Sequence, residues 1–196
     1  VDLIEKNSFI NRTPKQFSKS LAEYYGDGYE QISMVNGHFL HKAGFYGEGM
    51  DIALFDSGFD DVDKLNAFAH VRTNNLIKGT WDFVDNDATV YEKGTHGTYV
   101  MSIMASKVEE KFVGSAPHAN YWLYRTEDSN SETILEEYNW AAAAQLADSI
   151  GIDIISSSLG YSIFDASDSI HNHTLADMDG NTTPITIAAD MAAKKG

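Results

Sequence analysis

Cysteine is absent from this chain of 196 residues, and basic residues are scarce. Without cysteine, disulfide frameworks, thiolate metal sites and cysteine nucleophiles are excluded. The 14 Lys and Arg residues stand against 29 Asp and Glu residues, which gives a formal net charge of −15. Because phosphate binding needs a basic surface, this charge predicts that nucleic acid is not a partner.

Long apolar runs are also missing. No stretch approaches the roughly 18–20 apolar residues of a membrane helix, so we expect no membrane partner. Apolar residues still make up 43% of the chain, which is enough for one globular domain with a sizeable core. Because the chain begins with valine, we expect a processed or excised segment in which no signal peptide is left to be read.

Strand and helix patterns alternate along the chain. The predicted strands are residues 50–55, 120–125 and 153–156, of which the first is apolar enough to be buried on both faces. The predicted helices begin near His96, after residue 129, and at Pro184 with Thr183 as the N-cap. This alternation predicts an α/β fold with parallel, right-handed crossovers.

The connections between these elements give further predictions. A helix is predicted over residues 31–40 and a strand over residues 67–71. Residues 74–93 are predicted to be a long polar connection. Ser129 and Glu132 fit a capping box, which would begin the helix that Gly151 ends.

Two polar side chains lie where a catalytic pair would be expected. Asp56 follows the first predicted strand, and sites in open α/β sheets form beyond the carboxyl ends of strands. An aspartate that caps a turn is the alternative. His96 lies in Gly94-Thr95-His96-Gly97-Thr98-Tyr99-Val100, at the head of a predicted helix. The following glycine leaves room for close approach, although a buried histidine with a structural role fits this stretch equally well.

Two groups of side chains are of the types that bind metals. Asp82, Asp85 and Asp87 lie within six positions and could hold calcium, but the glycine and glutamate of an EF-hand loop are missing. A solvated turn is the favoured interpretation. His171 and His173 are two residues apart, and we interpret them as mobile surface histidines in preference to a metal pair.

Five stretches resemble, in order, motifs of the subtilisin-like serine peptidases (subtilases, peptidase S8). They are residues 40–49, 53–58 around Asp56, 96–100 around His96, 114–119 and 154–160. The resemblance runs from about residue 25 to the end. It implies a three-layer α/β/α fold with a mainly parallel sheet, incomplete in this chain. Residues 1–24 would be a lead-in segment, and residues 25–196 the N-terminal part of the peptidase domain.

The resemblance also implies a function. The protein would be a secreted or cell-surface serine endopeptidase that hydrolyses a peptide or protein substrate. His96 would be the general base and Asp56 would orient it, while Ser158, Leu159 and Gly160 would bind the substrate. The family's Gly-Thr-Ser-Met-Ala and Ala-Gly-Asn motifs are missing from the chain. We therefore expect the serine of the triad, and the remaining half of the domain as a partner, to lie elsewhere, and this chain alone to be inactive.

Several alternatives stay open at this point. A non-catalytic homologue that binds peptides is the second interpretation. A nucleotide-binding domain is disfavoured, because no Gly-rich phosphate loop follows Asp56. Residues 107–111 lack the family's asparagine-rich calcium loop, so no metal ligand is assigned and calcium is left open as a cofactor. Glu127 and Asp128 either favour basic side chains upstream of the scissile bond or cap the following helix.

Overall fold

The computed structural model describes residue 14 and residues 16–195. The α-helices are α1 (Leu21–Tyr25), α2 (Tyr29–Met34), α3 (Gly37–Lys42), α4 (Ala69–Thr73), α5 (His96–Ala105), α6 (Ile134–Ile150) and α7 (Pro184–Lys195). The strands are β1 (Asp51–Asp56), β2 (Ile77–Asp82), β3 (Lys107–Val108), β4 (Phe112–Val113), β5 (Asn120–Arg125) and β6 (Ile154–Ser157). Short 3-10 helices cover Asn66–Phe68, Ser169–His171 and Leu175–Asp177.

The chain divides into two compact units. The first comprises Val1–Met50, Lys64–Leu76 and Met101–Asn120, and the second comprises Asp51–Asp63, Ile77–Val100 and Tyr121–Gly196. Residues 1–13 and 15 of the predicted lead-in segment lie outside the described residues, as does Gly196, the predicted end of the last helix. The assignment of residues 1–24 as a lead-in segment stays a prediction.

The main sheet of the described chain is parallel and has the strand order β2-β5-β1-β6. Residues Ile52, Ala53, Leu54 and Phe55 of β1 lie opposite Ile154, Ile155, Ser156 and Ser157 of β6. The predicted strand at residues 120–125 is confirmed, and the other two are confirmed within one residue at each end. Helices flank this mainly parallel sheet, so the predicted α/β fold is confirmed.

The core of the second unit forms where helix α6 packs on the sheet. Phe55 of β1 contacts Trp140 of α6 edge to face, with ring centroids 5.3 Å apart. Ala143, Ala144 and Ala147 are buried on the same helix face. Since alanine side chains are short, they allow the helix to approach the strands closely while still burying apolar surface.

The predicted N-terminal cap is wrong for α6 and correct for α7. Helix α6 begins one turn later than predicted, because Thr133 and Glu136 form its capping box instead of Ser129 and Glu132. The backbone N–H of Glu132 donates to Asp165, 3.2 Å away, so this residue belongs to the preceding loop. Helix α7 begins at Pro184, and Thr183 accepts a hydrogen bond from the N–H of Thr186, as predicted for an N-cap.

Three predictions for the connections are wrong. Residues 67–71 are not a strand: Phe68 and Val71 are fully buried at helical spacing, on the 3-10 helix and on α4. The predicted helix at residues 31–40 is interrupted by Asn36, whose φ of 58° is left-handed. The polar connection at residues 74–93 contains strand β2, which is stabilised by pairing with β5.

In the first unit, a buried histidine stacks against two tyrosines. The His41 ring centroid lies 5.7 Å from that of Tyr25 and 4.3 Å from that of Tyr46. His41 is 1% exposed, and its Nε2 lies 2.9 Å from the carbonyl oxygen of Ser115. That contact requires a proton on Nε2, so Nδ1 accepts the hydroxyl of Tyr25 at 2.7 Å. Unlike His96, this histidine has both ring nitrogens occupied by protein partners.

One buried arginine explains the acidic stretch after β2. Arg125 Nη1 lies 2.8 Å from Asp82 Oδ2 and 3.1 Å from Asp85 Oδ2, and Arg125 Nε donates to the carbonyl oxygen of Ser57. Asp82 is fully buried and Arg125 is 5% exposed. The interpretation as a solvated turn is therefore wrong for Asp82, whereas Asp85 and Asp87 are exposed at the turn after β2. Arg125 joins the carboxyl ends of β1, β2 and β5 through Ser57 and Asp82.

We predict that Arg125→Met destabilises the protein by about 3–5 kcal/mol, because it leaves the buried carboxylate of Asp82 without its cation. Urea unfolding of the protein that contains this chain measures the loss. Lys93→Met is the matched control: it removes an exposed cation 2.6 Å from Asp85, so unfolding should be nearly unchanged. Equal losses in the two variants would contradict the role given to Arg125.

Candidate active site

Asp56 is the last residue of β1 and is 1% exposed. Its Oδ1 accepts the backbone N–H of Ser57 at 2.8 Å and the Ser57 hydroxyl at 3.3 Å. Its own carbonyl oxygen accepts the N–H of Thr126, which follows β5. The carboxylate is therefore held by Ser57, and the main chain of Asp56 by Thr126, at the carboxyl end of the sheet, where sites form in folds of this type.

His96 is the first residue of α5, and its Nδ1 lies 2.8 Å from Asp56 Oδ1 and 3.0 Å from Asp56 Oδ2. A carboxylate only accepts hydrogen bonds, so Nδ1 carries the proton and Nε2 of the neutral ring is an acceptor. The His96 side chain is 53% exposed, against 1% for Asp56. The pair is thus buried on the carboxylate side and open to solvent on the imidazole side.

Two glycines allow α5 to begin directly against the end of β1. A Cβ atom on Gly97 would overlap the carbonyl oxygen of Gly58 and crowd the Asp56 side chain. Gly58 has a φ of +144°, and a Cβ there would overlap the carbonyl oxygen of Lys93. The space predicted around His96 is therefore occupied by packed backbone, which fixes the imidazole beside Asp56.

A cleft brings the predicted substrate residues to His96. It is lined by Ser57, His96, Glu127, Ser129, Glu132, Ser158, Leu159, Gly160 and Tyr161. The structure thus places Ser158, Leu159 and Gly160, after β6, in one cleft with the histidine. Sequence reasoning missed Tyr161 and assigned Glu132 to a helix cap. The paths of the loops after β5 and β6 bring these residues into the cleft, and no local sequence pattern predicts those paths.

The cleft is electronegative. Burial, followed by the negative charges of Glu132 and Asp56, raises the pKa of Glu127, and the charge of His96 opposes this shift. Burial and the charge of Asp165 raise the pKa of Glu132. Burial, with contributions from Glu132 and Glu127, raises the pKa of Glu136 to about 7. Two of these carboxyl groups, those of Glu127 and Glu132, line the cleft together with His96 and are poorly solvated.

The two histidines of the loop after β6 have different environments. His171 is exposed, as predicted. His173, however, lies 2.5 Å from the fully buried Glu137, whose other oxygen accepts the N–H of Ile185 in α7. The prediction of a mobile surface residue is wrong for His173, because this contact fixes the loop to α6 and α7.

The described part of the chain shows neither a metal-binding cluster nor a membrane-spanning helix. Residue 14 and residues 16–195 contain no group of three or more His, Asp or Glu side chains placed to hold a metal ion. None of the helices in the same residues has the length and apolar character needed to cross a membrane.

The geometry of the Asp56–His96 pair defines a class of site. A buried aspartate bonded to one nitrogen of a half-exposed histidine is the arrangement that activates a hydroxyl nucleophile. The profile of the subtilase family matches residues 47–192, which is most of the chain. The chain belongs to the subtilase family, a family of serine peptidases.

Individual relatives agree with this assignment. The chain is 30% identical to subtilisin E of Bacillus subtilis over 132 residues, which are 66% of this chain and 32% of that protein. It is 31% identical to thermitase of Thermoactinomyces vulgaris over 119 residues, 58% of this chain and 38% of the relative. The chain thus spans about a third of the length of these relatives.

Solved structures support the fold. The crystal structure of MycP1 from the ESX-1 type VII secretion system superposes with a TM-score of 0.59 at 16% identity. It covers 94% of this chain, which in turn covers 47% of that structure. MycP1 from Mycobacterium smegmatis gives a TM-score of 0.54, also at 16% identity. The subtilisin-like α/β fold is therefore shared, although the sequences have diverged widely.

We predict that Gly97→Ala destabilises the protein by about 1–3 kcal/mol, because the added methyl group overlaps Gly58 and displaces α5 from β1. Thermal and urea unfolding measure this effect. Gly160→Ala is the matched control, since a Cβ there has nothing within 4 Å, and its stability should change by less than about 0.5 kcal/mol. Similar stabilities for both variants would show that the backbone contact is not tight.

Proposed function

We propose that the protein containing this chain is a serine endopeptidase in which Asp56 and His96 are two members of an Asp-His-Ser triad. The observation that carries the proposal is the contact between His96 Nδ1 and the buried Asp56 carboxylate, 2.8 Å long, with the imidazole open to a cleft. Membership of the subtilase family supports the same reaction class.

Each residue has a defined role in this proposal. His96 Nε2 takes the proton of the serine hydroxyl as its oxygen attacks the scissile carbonyl, and later returns that proton to the leaving amine. Asp56 holds Nδ1–H, which fixes the tautomer, and its negative charge stabilises the imidazolium that forms. The backbone N–H of Ser57 donates to this carboxylate and holds it in place while the proton moves.

A peptide or protein is the proposed substrate. Ser158, Leu159 and Gly160 follow β6 in the cleft and would present backbone groups to an extended peptide, which binds as an added strand. Gly160 has open space around its Cα, since a Cβ there would meet nothing within 4 Å. That space would receive a substrate side chain next to the reacting carbonyl.

The nucleophile is proposed to lie outside this chain. The chain contains no Gly-Thr-Ser-Met-Ala motif, and it spans about a third of the curated relatives that it matches. The same missing part would supply the oxyanion hole. Because these two elements contribute several orders of magnitude to the rate, we propose that residues 1–196 alone are inactive and need the remaining half of the domain.

An extracellular or cell-surface location is proposed as well. One relative, 26% identical over 141 residues, is named minor extracellular protease Epr of Bacillus subtilis. The absence of cysteine, and hence of disulfides, is compatible with this location. Localisation of the tagged native protein by cell fractionation decides the point, and a purely cytoplasmic protein would refute it.

In the full-length protein, His96→Ala should lower kcat for peptide hydrolysis by about six orders of magnitude and Asp56→Asn by about four, both with little change in KM. The reason is loss of the base in the first variant and of its correct tautomer in the second. His171→Ala is the control, because that histidine is exposed and lines no part of the cleft. A wild-type protein that binds peptides without hydrolysing any of them would support the non-catalytic alternative.

Residues 1–196 alone should not react with a fluorophosphonate probe, because the probe labels only an activated serine. Mass spectrometry measures the labelling. Supplying the downstream part of the gene product in trans should restore the reaction, at a serine outside these residues. Stoichiometric labelling of the chain alone would refute the proposed position of the nucleophile.

A further inference from the structure

An acidic corner of the cleft has no partner for its charge. We use the term acidic corner for Glu127, Glu132 and Tyr161, which line the cleft together with His96. Both glutamates are half-buried, and burial raises the pKa of each. Neither carboxylate makes an ion pair or hydrogen bond with any of the described side chains. A partly desolvated anion of this kind is stabilised by a cation that enters from outside.

Tyr161 provides an independent observation. It is 3% exposed, and its buried hydroxyl has no hydrogen-bond partner in the described part of the chain. Burial raises its pKa, and the negative charge of Glu127 is the largest further contribution. The hydroxyl therefore stays protonated. Buried hydroxyl groups are almost always paired, so an unpaired one on a residue that lines a cleft indicates a ligand that completes the site.

We propose that the acidic corner binds a lysine or arginine side chain of the peptide substrate. This proposal rests on the proposed peptidase function and adds the substrate class to it. The cationic N–H groups donate to the Glu127 carboxylate and to the Tyr161 oxygen, while Glu132 adds negative charge at longer range. We thus assign Glu127 to the selection of basic substrate side chains, in preference to the capping of the following helix. Asp128 contacts Arg125 and Asn130 instead, in the loop before α6.

A side chain of the substrate fits this corner better than a metal ion. Calcium requires six to eight oxygen ligands, and no described group of acidic side chains is placed to supply them. A protonated phenol is also a poor ligand for a hard cation, but it accepts a hydrogen bond from an ammonium or guanidinium group. The corner opens into the same cleft as Ser158, Leu159 and Gly160, beside which the peptide would lie.

The test uses the full-length protein and peptides that differ at one position, with arginine, lysine or norleucine placed in turn at four positions on each side of the cleaved bond. The wild type should favour a basic residue at one upstream position by about tenfold or more in kcat/KM. Glu127→Gln should reduce that ratio about tenfold, and Tyr161→Phe should reduce it in part. Glu92→Gln, an exposed acid-to-amide control outside the cleft, should keep the wild-type ratio. No basic preference at any position, or a preference that survives Glu127→Gln, overturns the proposal.

A binding measurement separates this proposal from the catalytic one. In the His96→Ala protein, fluorescence anisotropy of a labelled arginine peptide should show tighter binding than that of its norleucine counterpart. The difference should disappear with Glu127→Gln and weaken with added salt. If this difference is present while the wild type hydrolyses nothing, only the peptidase function fails. Stoichiometric calcium binding that is lost in Glu127→Gln would replace the proposed side-chain site by a metal site.

Discussion

The contact between the buried Asp56 carboxylate and His96 Nδ1 is the interaction on which the site depends. It joins residues 40 positions apart, so it forms only if the end of β1 lies next to the beginning of α5. The sheet supplies one half of that condition, because β1 lies between β5 and β6 and its carboxyl end is thereby fixed. Close backbone packing at Gly58 and Gly97 supplies the other half.

Electrostatics then divides the carboxyl end of the sheet into two regions. On one side, Arg125 neutralises Asp82 and binds Asp85, so these acids have a structural role. On the other side, Glu127 and Glu132 line the cleft and have no cationic partner among the described side chains. The two regions follow one another in sequence, with Arg125 only two residues before Glu127. A single strand end thus separates the acids that stabilise the fold from those available to a ligand.

Much of this arrangement could be predicted from local sequence. A short apolar run followed by Asp56 predicts a buried strand with an acid at its end. The glycine after His96 predicts close approach of another group at the start of the helix. Long-range partners had no such signal. Strand β2 is polar and depends on pairing with β5, and the Asp82–Arg125 pair joins residues 43 positions apart. Likewise, Tyr161 reaches the cleft only through the path of its loop.

The packing at Gly58 and Gly97 also affects how genetic variants of this protein should be interpreted. Alanine is the smallest replacement that a mutational scan can introduce, and at both positions its single methyl group meets backbone that cannot rotate away. Loss of activity there would consequently mimic the loss of a reacting group, although neither residue has a side chain. The tolerance of these positions to substitution therefore reports on main-chain geometry. Chemical roles must be assigned from substitutions that leave the two glycines in place.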